Sequence, residues 1–395
     1  MPNRPCWVEI RTQALQENYR FLQSLATPHA ELLAIVKANA YGHSLEICAP
    51  AAVRAGARWL GVTSVEEGVA ARAFCPEARI LVIGGVFPGQ AAEVLRHKLT
   101  AVAWERWQIN ELESAANAAG AKAGSVPVHL EIDTGMSRQG VDAAGLSQAL
   151  ARFSPRSPLR LDGVMTHLFA SDEADGAVTD AQIARMVEVL AQVEAKGLYA
   201  DWLNVGSSAA LLAGQAGKIA DLAARHGMKA MMRPGLALYG LAPHFDPAFE
   251  PEEPTPLKLG HAKLQPVLSW KTRVTGVRTV SAGAVVGYNG TFVATERMRL
   301  ALVPAGYADG LDRRLGNRFS LLVRGQRAPL VGRVSMDQAV LDVTEIPGVT
   351  AGDEVVILGS QGDETISAFD HAEVAGTIPW EVFTRIGPRV QRIAV

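Results

Sequence analysis

The chain predicts an α/β fold, a (β/α)8 TIM-like barrel followed by a smaller, mostly β domain. Three observations carry that expectation. Over the first 240 residues, eight short apolar runs alternate with segments of helical period. The polar and special residues collect where those runs end. From about residue 264 the segments turn β-like, joined by Gly, Pro and Asn turns. A doubly wound open sheet competes, because strand count alone does not close a barrel; the count of eight and the polar rim favour the barrel.

In chain order the runs are LLAIVKA (32–38), WLGVTS (59–64), RILVIGG (79–85) and LTAVAW (99–104). They continue as VPVHLEID (126–133), LDGVMTHL (161–168), DWLNVGSS (201–208) and KAMMRPG (229–235). Most are apolar throughout, as parallel strands covered on both faces require. The clearest helix spans 179–196, where Ile183, Met186, Val187, Leu190 and Val193 share a face. Thr179 with Gln182 reads as a capping box and Gly197 as the C-terminal glycine. The stretch 244–260, HFDPAFEPEEPTPLKLG, is rich in proline and acid and reads as a linker. It divides residues 1–243, the barrel, from residues 244–395. The second part holds VLSWKTRVTGV, RLALVPA, FSLLVRGQRAPLVGRV, QAVLDVT and DEVVILG as strand segments.

Composition sets bounds. The 395 residues fit two or three domains, and 48% hydrophobic with 20% charged residues marks a globular chain. A net charge of −2 gives no electrostatic reason for nucleic acid or an anionic membrane as partner. The start lacks an apolar signal core, and no run is long and uncharged enough to span a bilayer. Cys6, Cys48 and Cys75 are few, scattered and odd in number, against a disulfide framework or a metal site. A cytoplasmic protein is the expectation.

Active sites of such barrels lie at the C-terminal ends of the strands. Lys37 and Tyr41 follow the first run, Arg138 follows the fifth and His167 ends the sixth. Ser207 and Ser208 follow the seventh, and Arg233 and Gly235 end the eighth. Lys37 reads either as a neutral amine held for covalent bonding to a carbonyl, or as a rim lysine whose ammonium reaches water. Tyr41 bonds a ligand or caps the barrel mouth. Arg138 grips a carboxylate or phenolate, or pairs with Glu131 or Asp133. His167 alone reads as a satisfied core histidine. Ser208 reads as a phosphate donor or a plain helix cap. Arg233 stands beside a Pro-Gly turn where backbone can approach an anion. In the second part, Tyr288 and Tyr307 occupy glycine-flanked turns, and Met336 and Asp337 end a strand-like segment.

The motifs VKANAYGHS, DTGMSRQG, MTHLFASDE, SSAALL, RPGLALYGLAP, GYNGTF, GYADG and GRVSMDQ follow one another along nearly the whole chain. In that order the chain resembles the alanine racemases that use pyridoxal 5'-phosphate. The resemblance implies a barrel followed by a β domain, and a head-to-tail homodimer whose active sites are shared. It implies that Lys37 binds the cofactor covalently, that Tyr41, Ser208 and the backbone at Gly235 hold its phosphate, and that Arg233 faces the pyridine nitrogen. His167 would lie against the ring, and Arg138 would bond the phenolic oxygen and the substrate carboxylate. Tyr288 of the partner subunit would be a second catalytic base beside Lys37, with Tyr307, Met336 and Asp337 at the substrate entrance and Arg313 behind them. The implied activity is interconversion of L- and D-alanine, supplying D-alanine for peptidoglycan. A broad-specificity serine or basic amino-acid racemase is the variant. A decarboxylase on the same plan ranks lower, since all three cysteines precede residue 76 and such enzymes place one in the second domain.

Racemisation takes a proton from one face of a carbon and returns one to the other, so two bases on opposite faces are the direct solution. Two departures from the family pattern stand out. Where many members carry a carbamylated lysine, this chain has Glu131, which supplies a negative charge directly. The C-terminal FTRIGPRVQRIAV lacks a tyrosine that bonds the phosphate elsewhere; Thr384 or Arg385 substitutes, or Tyr41 and Ser208 suffice.

Overall fold

Eight parallel strands close into a barrel, and each predicted run supplies one of them. The computed structural model describes residues 4–173, 176–243 and 256–395. The chain begins with β1 (Cys6–Ile10). The barrel then follows as β2 (Ala30–Ile35), β3 (Trp59–Val62), β4 (Arg79–Val82), β5 (Thr100–Ala103), β6 (Val126–Glu131), β7 (Leu159–Met165), β8 (Trp202–Ser207) and β9 (Lys229–Arg233), with β2 pairing β9 to close it. Nearly every residue of these strands is buried, because helices cover the outer face and side chains fill the inner one.

The strands stop short of the predicted runs at their C-terminal ends, so Lys37, His167 and Gly235 lie beyond the ladders. The helix expected over 179–196 spans Ala177–Ala195, with Gly197 at φ +67 closing it. Its buried face holds Met186, Leu190 and Val193, while Val187 turns outward. Thr179 and Gln182 form no capping box. Gly176 is the N-cap, and both side chains are buried tethers for the loop after β7. Thr179 donates to the Ala170 carbonyl, and Gln182 donates to Thr134 Oγ1 and the His167 carbonyl.

The expected linker falls mostly outside the described residues; its last part belongs to a helix, Pro256–Lys263. The remaining strands are β10 (Leu268–Arg273), β11 (Gly276–Val280), β12 (Val285–Val286), β13 (Phe292–Val293), β14 (Met298–Val303), β15 (Ser320–Val323), β16 (Gln326–Pro329), β17 (Ala339–Asp342), β18 (Glu354–Gln361), β19 (Glu364–Ile366) and β20 (Gln391–Ala394). They form a main sheet in the order β16-β15-β18-β10-β1-β20 with β19 on β18, a three-stranded sheet β11-β14-β17, and the hairpin β12-β13. β1 therefore lies between β10 and β20, although it is the first strand in the chain. One compact unit accordingly comprises residues 4–12, 41–47 and 266–395, and the barrel unit comprises 13–40 and the described part of 48–265. No helix among the described residues is long and apolar enough to cross a membrane.

The N-terminal end of the barrel is closed by a polar plug. Asp162 on β7, with no exposed side-chain surface, accepts from Arg79 on β4 at 3.2 Å, from Arg160 at 2.5 Å and from His129 on β6 at 3.3 Å. The Arg79 guanidinium lies over the Trp59 ring, 3.8 Å from its centroid. Burial alone would raise the Asp162 carboxyl, but His129, Arg160 and Arg79 together hold it below the usual carboxylate range. Burial likewise pushes the His129 imidazole down. Both shifts stabilise the fold above the groups' unfolded-state pKa values and are lost as pH falls through the folded ones. Asp162→Ala is expected to destabilise by about 3 kcal/mol, the low end for breaking a buried pair, because both guanidiniums are partly screened by solvent. Urea unfolding near neutral pH measures this, and the difference from wild type should narrow as the solution is acidified.

Candidate active site

β2 ends at the barrel's C-terminal rim, where the Val36 N–H makes a last strand-like bond to the Gly61 carbonyl. The next residues leave ordinary backbone space. Ala38, Asn39, Ala40 and Tyr41 have φ of 53, 52, 56 and 53, a left-handed turn built from residues that all carry a Cβ. Such residues cost roughly 1–2 kcal/mol each in this region, so the turn needs support. Lys37 stands immediately before it, half-buried. Its ammonium is held below the usual lysine pKa, first by burial and then by the cations Arg138 and Arg233. That is the setting in which a lysine becomes a nucleophile or a base.

Arg233 is the deepest cation of the rim. Its terminal nitrogens donate to the Asn204 carbonyl and side-chain oxygen at 2.8 and 2.5 Å, to the Thr166 carbonyl at 2.7 Å and to His167 Nδ1 at 3.1 Å. These four bonds leave Nε–H unengaged by them. Burial lowers the guanidinium to about 10, which leaves it charged at neutral pH. His167 accepts through Nδ1, so its proton sits on Nε2. Burial, with Arg233, Arg138 and Lys37 around it, lowers the imidazole to about 3. His167 is thus a neutral ring tied to a cation.

Glu131 closes β6 and is 2% exposed. It accepts from Gln139 Nε2 at 2.6 Å. Burial raises its pKa, opposed by Gln139 and then by Arg233 and Arg138. Asp133 is spent on its own loop, accepting from the Gly135 N–H at 2.8 Å and the Ser137 N–H at 3.1 Å. Among the described residues Arg138 makes no ion pair within 4 Å with either acid, so the structural-pair reading of Arg138 does not hold. Ser208 is not a helix cap either. Ser207 occupies the N-cap of Ser208–Leu212, while Ser208 Oγ accepts the N–H groups of Gly235 at 2.9 Å and Ala237 at 3.3 Å. The Gly235 N–H is therefore committed to the serine, and the serine hydroxyl hydrogen is the group left to donate.

The other expected site residues lie in the β unit. Tyr41 is buried, which pushes its phenol up to about 12, and its carbonyl lies 2.9 Å from His43 Nδ1. Tyr288 occupies the short turn Tyr288–Gly290 between β12 and β13 and is 69% exposed. The GYADG loop lies against the SMD turn, with Tyr307 N–H donating to the Ser335 carbonyl and Ala308 N–H to the Met336 carbonyl, each at 3.0 Å. A Cβ at Gly306 would stand 2.4 Å from both carbonyl oxygens, so only glycine fits there. This brings Tyr307, Met336 and Asp337 together. A concave surface of about 740 Å³ adjoins them, lined by Tyr307, Asp312, Arg313, Arg314, Glu381 and Arg385. Thr384 donates back into its own helix at Trp380, and Arg385 pairs with Asp312 and Glu381.

Four residues whose part in the site was not read from the sequence are Glu67, Gln139, Gln182 and Asn204. Each bonds directly to a site residue or to the loop that carries one; Gln139 and Asn204 stand inside segments singled out for other residues, and Gln182 was read as half of a capping box. The three cysteines are free, as read from the sequence, but chain order hides where one of them lies. Cys6 precedes the barrel in sequence but belongs to β1 of the β sheet, where it is 1% exposed. It receives the Trp270 Nε1–H at 3.3 Å, and burial pushes its thiol up to about 11.

Comparison with known proteins agrees with a barrel followed by a β unit. The alanine racemase N-terminal domain matches residues 10–243 and the alanine racemase C-terminal domain residues 267–394. An alanine racemase of Symbiobacterium thermophilum is 38% identical over 390 residues, covering 98% of this chain and 97% of its own. The crystal structure of the alanine racemase from Streptomyces lavendulae superposes with a TM-score of 0.86 at 33% identity, covering 100% of this chain and 98% of the other. That of Bartonella henselae, solved with covalently bound pyridoxal phosphate, gives a TM-score of 0.82 at 27% identity, covering 99% of each. A closed barrel, a β unit and a rim of converging cations thus accompany matches to both domains, and the chain belongs to the alanine racemase family of enzymes.

Proposed function

We propose that this chain interconverts L- and D-alanine with pyridoxal phosphate held at Lys37, as a cytoplasmic homodimer whose product serves peptidoglycan synthesis. The observation that carries the reading is the Lys37 amine, its pKa depressed, on the barrel rim beside two guanidiniums. The barrel within residues 1–243 would bind the cofactor, and the β part of a second copy would complete the site.

The donor set at the rim fits that group. Lys37 offers an easily deprotonated amine for an aldehyde carbon, and Arg138 and Arg233 offer positive charge for anionic oxygens and a ring nitrogen. Ser208 offers a hydroxyl hydrogen that its two accepted N–H bonds leave available. When bound, pyridoxal phosphate supplies an electron-withdrawing ring that makes the alpha proton of an attached amino acid removable. Lys37, once its amine is free, takes or returns that proton on one face. Tyr288 of the partner subunit does so on the other; its counterpart here is exposed, as a group serving a neighbouring copy must be. A phenol, with pKa near ~10, needs help to act as a base at neutral pH. His167 Nε2–H, anchored through Nδ1 to Arg233, would be the hydrogen-bond donor that gives it. Arg233 stays cationic and would disfavour protonation of a ring nitrogen held near it. Arg138 would orient the substrate carboxylate, and Glu131, kept by Gln139, supplies the nearby negative charge without carbamylation. Tyr307, Met336 and Asp337 would line the approach, and Tyr41 with Ser208 would hold the phosphate.

Purified protein with pyridoxal phosphate should abolish the optical rotation of L-alanine, and borohydride reduction should leave the label on Lys37. Unchanged rotation refutes the activity. Tyr288→Phe should lower turnover by about 10²–10⁴-fold while the cofactor's absorbance persists; sedimentation should give a dimer. His167 should keep one pair of ¹⁵N chemical shifts from about pH 5 to pH 8, where an ordinary histidine titrates. A midpoint inside that window would remove it as the neutral donor to the tyrosine.

A further inference from the structure

Glu67 has no part in the roles above, yet it touches the segment on which they depend. It lies in the first turn of the helix Val65–Phe74, whose N-cap Ser64 accepts the Glu67 N–H at 3.3 Å. One carboxylate oxygen accepts the Ala38 N–H at 2.7 Å and the Asn39 N–H at 3.4 Å. The other accepts the Thr63 N–H at 2.9 Å, at the end of β3. Among the described residues no lysine or arginine pairs with it within 4 Å, so its charge is spent on peptide N–H groups.

The helix that carries Glu67 packs closely at its start. A Cβ on Gly68 would stand 2.8 Å from Leu99 Cδ1, which means the helix start is packed tight on the barrel wall. The first two residues of the left-handed run, Ala38 and Asn39, are thus held by a carboxylate that also grips the end of β3 through Thr63. The same carboxylate opposes the depression of the Lys37 ammonium by burial and by Arg138 and Arg233.

We propose that Glu67 is the positioning residue of Lys37, clamping the peptide N–H groups of Ala38, Asn39 and Thr63 so that the left-handed turn holds the lysine at the end of β2. The proposal rests on the reading of Lys37 as the cofactor's attachment point. It does not make Glu67 a participant in proton transfer.

The test compares wild type, Glu67→Gln and Glu67→Asp in the full chain. Gln keeps the length and one acceptor but loses the charge and faces the Thr63 N–H with a donor; Asp keeps the charge and loses reach. In cofactor-free protein the ¹³Cε resonance of Lys37, identified by its absence in Lys37→Arg, gives the amine's titration midpoint. Glu67→Gln should lower that midpoint by roughly 0.3 unit or more, and Glu67→Asp should leave it near wild type. Both should speed amide exchange at Ala38 by about tenfold and weaken pyridoxal phosphate binding by a similar factor. If one variant does not fold, the other still reads exchange and affinity. Wild-type exchange and affinity in the variants overturn the proposal. So does a lowered melting temperature with affinity and midpoint unchanged, since that is a structural role alone. If wild type binds no pyridoxal phosphate at Lys37 the function fails, while the Ala38 exchange and the Lys37 midpoint still decide the part of Glu67.

Discussion

A guanidinium sealed inside a barrel mouth must have its hydrogens received, and the site depends on how this is done for Arg233. Two carbonyls, one amide oxygen and one imidazole nitrogen accept its terminal N–H groups. Those acceptors come from β8 and from the end of β7, so the arginine links neighbouring strands at their C-terminal edges. Holding it there dictates the histidine tautomer and, with Arg138, lowers the proton affinity of Lys37. Buried charge is expensive, and here it is offset by two strand-end carbonyls and two side chains, the Asn204 carbonyl accepting the Thr166 N–H as well.

The β unit solves a similar problem with the charges reversed. Asp309, with no exposed side-chain surface, receives Arg4, Arg389 and the Gly306 N–H. Burial would raise this carboxyl, but the two arginines and the amide hold it below its ordinary range. Arg389 also reaches Asp337 at 2.8 Å. One buried acid therefore fixes both the loop that bears Tyr307 and the turn that bears Met336 and Asp337.

The sequence made the barrel legible because its strands are buried on both faces. A run such as RILVIGG has no exposed alternation to obscure it. Residues at strand ends were legible for a related reason: Lys37, His167 and Arg233 are polar breaks in apolar text. Positions reached through space were not legible. Nothing local marks Glu67 as the acceptor for a turn 28 residues earlier, or Gln182 as the brace behind His167. The spacing of Thr179 and Gln182 suggested a cap because a capping box and a pair of buried tethers use the same residue types. Nor does chain order reveal that β1 pairs with β10 and β20, since pairing over such separations is set by the completed sheet.

The three thiols show what close packing does to reactivity. Cys6, Cys48 and Cys75 are at most 4% exposed, and burial pushes each thiol upward. A sulfur that neither ionises nor meets solvent is a poor target for peroxide, iodoacetamide or metal ions. Preparations of the folded protein should therefore tolerate air without a reducing agent, and modification of these side chains by an alkylating dye would report unfolding rather than surface chemistry.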